Sequence, residues 1–318
     1  MSLGRKGASP HEQRVSLQGE FVMADDDALC LSCTEQGFID AFRTHGFLSP
    51  YIEEAVPAYI RPHAEWFAHA EALNRAGLDA LYRRENEVVG LSSQHPVSLS
   101  IRMTFRALSA FQAALILYRR AMVQEGETLT RNIYETAFWL GYLHKDGPAA
   151  TRAFLNDERK SQKDRASYYL EQFASGAYEP NPEIETQLRE QVADLKSKIT
   201  KADNVSVREA ARRSDLYGYY ETYKHLSAGS AHNSLNSLHR YLNRNPDGSY
   251  NGHIVGPDPD SLVDALPVMC IGLGITLAMF CTIVAIDHPE DELQTLLIKT
   301  DAMRKAQKAA GGGITTMA

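Results

Sequence analysis

Hydrophobic positions recur at helical spacing along nearly the whole chain. Between Ser98 and Val123, the residues Phe105, Leu108, Phe111, Leu115 and Met122 follow a 3.6-residue period, which predicts a long amphipathic helix. The same pattern gives helices over 34–45, from Tyr51 with interruptions near Pro57 and Pro62, and through Ala64 to Glu87. The run from Gly90 to Pro96 reads as a loop, and Glu125-Gly126-Glu127 is expected to end the Ser98 helix before a new one from Thr128 to His144. Gly147-Pro148 then precedes a charged helix from Ala149 to Phe173. Past the break at 175–182, residues 183–202 carry a narrow seam of Leu188, Val192, Leu195 and Ile199, which suits a packed arm better than a long coiled coil. Val207 to Asn243 reads as helix, and 243–260 as a loop with a small hairpin at Asn251-Gly252. No strand alternation is long enough to seed a sheet. The expected fold class is therefore all-α, a multi-helix bundle.

One stretch admits two readings. Ala265 to Ile286 carries no charge and is long enough to span a membrane. Its flanks, Asp264 and Asp287, are acidic and lack the Lys/Arg cluster that anchors a span. Cys270, Gly274 and Ala278 form a small-residue stripe that lets another helix approach closely. A buried apolar C-terminal helix explains the same letters, and the chain is expected to have no membrane segment. A polar helix to about Ala310 follows. The organisation expected is a disordered stretch over 1–27, an N-terminal helical extension over 28–94, a main bundle over 95–310 and a flexible tail over 311–318.

Composition narrows the class. The chain has 318 residues, 44% hydrophobic and 23% charged, as in ordinary globular proteins. A formal net charge of -7 argues against a protein that coats nucleic acid, although a local basic patch stays compatible with it. Four cysteines make no disulfide framework in a chain of this length. Cys30 and Cys33 have half-zinc or redox spacing with no second pair, and Cys270 and Cys281 sit in the apolar run as small hydrophobes. Met1 to Pro10 lacks the apolar core of a signal peptide, so the expectation is a cytoplasmic protein.

Two polar clusters interrupt the apolar pattern. In the first, Arg131 and Glu135 are four residues apart and share one helix face. Leu129, Ile133, Leu140 and Leu143 mark one apolar face of that helix, while Tyr134, Phe138 and Tyr142 mark another. A helix apolar on two sides is central, so the pair is expected to be partly buried. Either it is a structural ion pair, or Glu135 holds Arg131 toward an anionic ligand. In the second cluster, Tyr223, Lys224, His225 and Ser227 precede Ala231-His232-Asn233. His225, His232 and His239 recur every seven residues, about 10.5 Å apart on one helix, too far to share a metal. Only Glu221 with His225 has metal-helix spacing, so no metal and no cofactor is expected. His232 is either a satisfied core histidine or a general base. Arg208, Arg212 and Arg213 are interrupted by Glu209 and Asp215 and read as a mixed solvated face.

These residues carry a resemblance. The Arg131-to-Glu135 spacing and the later Tyr223, Leu226, Ser227 and His232 are similar to a bacterial helical family, domain-of-unknown-function family 5677. The charged helix around Asp157, Lys160, Lys163 and Asp164 and the apolar last helix sit where that family has them, so the resemblance covers roughly 95–290. It implies a fold and a site position but no reaction. A weaker resemblance is to the HEPN group of helical bundles, many of them ribonucleases of toxin and defence systems, whose signature is an arginine four to six residues before a histidine. Here the residues at those places before His232 are Leu226, Ser227 and Ala228, so an arginine would have to come from elsewhere, such as Arg131. The expected site has His232, Arg131 and Glu135 in catalytic roles and Tyr223, Ser227, His225 and Tyr134 as ligand contacts. The partners expected are an anionic small molecule or RNA, in a defence or stress setting, with a homo-oligomer also open. The alternatives are a metal-independent ribonuclease and a non-enzymatic interaction module.

Overall fold

The computed structural model describes residues 35–84, 88–231, 235–284 and 291–309. They form an α-helical bundle. The order is α1 (Glu35–His45), α2 (Pro50–Ile60), α3 (Ala64–Arg84), α4 (Pro96–Arg119), α5 (Val123–Lys145), α6 (Gly147–Ala174), α7 (Pro182–Lys198), α8 (Val207–Arg213), α9 (Tyr220–Leu226) and α10 (Leu235–Leu238). A hairpin of β1 (Leu242–Arg244) and β2 (Tyr250–His253) follows, and α11 (Leu262–Ile283) and α12 (Asp291–Ala309) close the bundle.

The central element is α5, which packs against α4 and α11 on one side and α8 and α9 on another. Its two apolar faces feed two cores. Ile133 and Leu140 join the larger one with Leu108, Phe111, Leu273 and Leu277, to which α1–α3 also contribute Phe42, Ile52, Trp66 and Leu73. Tyr134, Phe138, Tyr142 and Leu143 join the second with Ala210, Ala211, Tyr223 and Leu226. By length and composition α11 is able to cross a membrane, yet most of it is covered by α3, α4, α5 and α12. At Gly272 a Cβ would stand 2.8 Å from the Tyr134 ring, so this glycine admits the tyrosine between the helices. Pro267 lies inside α11 and cannot donate to the Val263 carbonyl one turn back. Gln307 of α12 donates to that oxygen instead, at 2.7 Å, and its own Oε1 accepts from Trp66 Nε1 at 3.0 Å.

Four boundaries differ from the sequence pattern. The α4–α5 break falls at Arg120-Ala121-Met122, with Ala121 at φ 53°, and not at 125–127. Gly126 is inside α5 because the Tyr118 ring fills the place of its missing side chain. Pro57 does not interrupt α2, whereas Pro62 lies in the short 3-10 turn that follows it. The expected helix over 207–243 is broken into α8, a 3-10 turn at Tyr217–Tyr219, α9, a π turn at Ser227–Ala231 and α10. Asp215 at φ 60° bends the first break, and the π turn falls between His225 of α9 and His239 of the 3-10 turn His239–Tyr241, so these two do not share one helix. The hairpin turn is at Asp247-Gly248, with Gly248 at φ 84° and Asp247 accepting from Ser249, while Asn251 and Gly252 belong to β2.

The arm is present as expected. Leu188, Val192, Leu195 and Ile199 are the apolar positions of α7 and its cap that are covered, and α7 packs on α6. Buried Asn156 ties its end by donating to the Thr200 carbonyl at 3.1 Å and accepting from the Thr200 amide at 2.8 Å. Cys30, Cys33, the N-terminal stretch to 34 and the tail over 311–318 lie outside the described residues.

Candidate functional site

On α5 the residues Glu127, Arg131 and Glu135 stand one above another at four-residue spacing. They face α9 and the π turn. The Arg131 Nε donates to Ser227 Oγ at 2.8 Å and its Nη2 to the Tyr223 hydroxyl at 2.6 Å. Its Nη1 is 3.3 Å from Glu135 Oε2 and 3.4 Å from Asn132 Oδ1. The guanidinium carbon also lies 4.7 Å from the centre of the Tyr223 ring, a cation–π contact. Tyr223 passes the chain on, donating to Glu135 at 3.5 Å. Ser227 donates to the Tyr223 carbonyl at 2.8 Å, which leaves its oxygen to accept from Arg131. Tyr223 and Ser227 are buried, but the Arg131 side chain is 19% exposed and that of Glu135 33%.

Local packing holds these groups in place. Tyr217, Tyr220 and Tyr223, at three-residue spacing, stack with ring centres 5.5 Å apart at each step. Phe138 of α5 meets Tyr223 edge-on at 5.8 Å. The π turn widens the helix just where Ser227 reaches Arg131, a distortion frequent at functional sites. Burial raises the pKa of Tyr223 and the Glu135 charge raises it further, against the pull of Arg131. Tyr223 therefore stays a neutral donor at physiological pH.

The structure brings together Arg131, Glu135, Tyr223 and Ser227. Tyr134 points elsewhere: it is buried, donates to the Val268 carbonyl at 2.9 Å and belongs to the α5–α11 packing. His225 is exposed on α9, with an electrostatic influence on Glu127. His232 lies outside the described residues. One pair was not anticipated. Glu127 accepts from Arg240 Nη1 at 2.8 Å, its side chain only 13% exposed. Burial raises the Glu127 pKa, opposed first by Arg240. Its spacing from Arg131 was the available signal, obscured by reading Gly126 as a helix end. Among the described residues no three His, Cys, Asp or Glu side chains could hold a metal. A separate open groove of about 630 Å³ runs along α6, lined by Asp157, Lys160, Asp164, Arg165, Tyr168 and Tyr169.

Residues 97–250 match the model of a family described as a family of unknown function, DUF5677. Over this stretch, just under half of its length, the chain is similar to the DUF5677 family. The matched stretch runs from the start of α4 to β2, so it contains all of the Arg131 cluster and Arg240. Helices α1–α3, α11 and α12 lie outside it and complete the core around α5. No curated protein and no solved structure matches the chain. The DUF5677 description names no reaction.

Proposed function

We propose that the chain binds an anionic group, a phosphate or a carboxylate, at Arg131. The supporting observation is how the guanidinium is held. Its two short hydrogen bonds go to neutral hydroxyls, at 2.8 and 2.6 Å, while its carboxylate partner stands at 3.3 Å. A structural arginine is commonly neutralised by a close bidentate carboxylate. Here Ser227 and Tyr223 fix the direction of Arg131 without cancelling its charge, and both Arg131 and Glu135 reach solvent. An incoming anion takes the Nη1 edge in place of Glu135, and the Tyr223 hydroxyl offers a second donor.

The competing reading is a structural lock within an interaction module. It is favoured by the number of protein partners of Arg131, since Ser227, Tyr223, Asn132 and Glu135 all engage it. Calorimetric titration with inorganic phosphate separates the two. Saturable binding that is lost in Arg131→Gln, with the helical circular dichroism kept, supports the ligand reading. Binding of equal strength in the wild type and the variant, or none in either, refutes it in favour of the lock. Incubation with single-stranded RNA in a chelator tests the ribonuclease extension, which requires cleavage that His232→Ala abolishes.

A further inference from the structure

Both cations of this region converge on one short piece of backbone. The π turn Ser227–Ala231 is flanked by Arg131, bonded to Ser227 Oγ at 2.8 Å, and by Arg240, whose Nη2 would stand 3.7 Å from a Cβ at Gly229. The two arginines come from distant parts of the sequence, α5 and the 3-10 turn His239–Tyr241. Each is steadied from α5 by a single carboxylate, Glu135 for Arg131 and Glu127 for Arg240. The carboxylates lie eight residues apart on α5 with Arg131 between them, about two turns of helix. Glu127 takes Nη1 of Arg240 at 2.8 Å, and the Arg240 side chain is 36% exposed. Gly229 is itself buried, with the Arg240 guanidinium against it, so a ligand meets the guanidinium groups and not the backbone of the turn.

We infer that the π turn and its two flanking arginines form a two-cation cradle for a pair of adjacent phosphoryl groups, Arg131 holding one and Arg240 the other. This rests on the reading of Arg131 as an anion-binding group and extends it with a second subsite and a ligand class. Guanidinium suits phosphate because its planar fork offers paired donors. Two such forks favour a ligand with two linked anionic centres over a single phosphate.

The test compares inorganic phosphate with inorganic pyrophosphate on the full chain by calorimetry. In the wild type, pyrophosphate is expected to bind at least about tenfold tighter than phosphate. In Arg240→Gln that preference falls to within about threefold. Removing Arg240 alone strands a buried carboxylate, so Glu127→Gln/Arg240→Gln is measured beside it and is expected to lose the preference equally. Arg189→Gln on the arm controls for loss of a positive charge and keeps the wild-type ratio. A preference that survives in both Arg240 variants overturns the cradle while leaving the Arg131 reading standing. Failure of the wild type to bind either probe overturns both. Competition against bound pyrophosphate by a nucleoside diphosphate, or by a single-stranded oligoribonucleotide, identifies which source of paired phosphates the cradle takes.

Discussion

Substituting Gly126→Ala tests the packing that places the functional face of α5. A Cβ at Gly126 would lie 2.2, 2.6 and 2.9 Å from Cε1, Cδ1 and Cζ of Tyr118. Ordinary carbon contacts are about 3.5–4.0 Å, so the ring has to retreat by about 1 Å or more. It has nowhere to go: Tyr118 is fully buried, and its hydroxyl is held at 2.9 Å by Thr130. Thr130 in turn donates to the Gly126 carbonyl at 3.0 Å, so Tyr118 is the donor to Thr130 and both bonds are strained by the same shift. Overpacking costs about 1–3 kcal/mol, and the weakened hydrogen bonds about 1 kcal/mol more. The better helix propensity of alanine returns about 1 kcal/mol. The net loss is about 1–3 kcal/mol, read in a chain of this length as a fall in Tm of about 2–5 °C. Gly218→Ala, where a Cβ meets nothing within 4 Å, is the neutral control. Tyr118→Leu removes the obstructing ring atoms, so its cost and that of Gly126→Ala should sum to less than additive in the double variant. An unchanged or higher Tm for Gly126→Ala, or strict additivity, refutes the packing argument.

Arg131→Ala is expected to lose about 2–3 kcal/mol in urea denaturation, below the 3–5 kcal/mol of a fully buried pair, because Glu135 is partly solvated and Ser227 and Tyr223 keep each other. A loss above about 5 kcal/mol would contradict the open geometry. His69 is buried and its Nε2 is 2.7 Å from Thr300 Oγ1, whose proton goes to the Leu296 carbonyl, so Nε2 carries a proton and donates to the threonine. Burial lowers its pKa from 6.5 to about 4, so the unfolded chain takes up the proton first as pH falls. Stability is full above pH 6.5 and declines by about 3 kcal/mol toward pH 4, and His69→Gln flattens that slope in pH-dependent denaturation. A wild-type slope unaltered by the substitution refutes the assignment. Gln307→Ala frees the Val263 carbonyl and Trp66 Nε1 and is expected to cost about 2 kcal/mol. With Pro267→Ala restoring a backbone donor to Val263, that cost shrinks in a double-mutant cycle; equal costs in both backgrounds would show that the proline's orphan carbonyl is not what Gln307 serves.

The helical period of apolar residues determined the all-α class, the two-faced character of α5 and the arm seam on α7. These follow from side-chain spacing alone, because burial of an apolar stripe is a local demand that every helix meets in the same way. The pairing of Arg131 with Glu135 was legible for the same reason, being a four-residue contact within one helix. What the pattern misassigned was decided by contacts distant in sequence. Gly126 looks like a helix end until Tyr118 is seen to occupy its missing side chain. Pro267 sits inside α11 because Gln307, forty residues away, supplies the hydrogen bond the proline cannot. The seven-residue histidine spacing suggests one face of one helix, but the π turn separates His225, exposed on α9, from His239 in a later 3-10 turn. Tyr134 and Arg131 are three residues apart, yet the tyrosine turns to α11 and the arginine to α9. Only the tertiary structure brought Ser227, Tyr223 and Arg240 to α5. Charge and hydrogen-bond partners are chosen by proximity in space, which spacing along a chain does not encode beyond a helical turn or two.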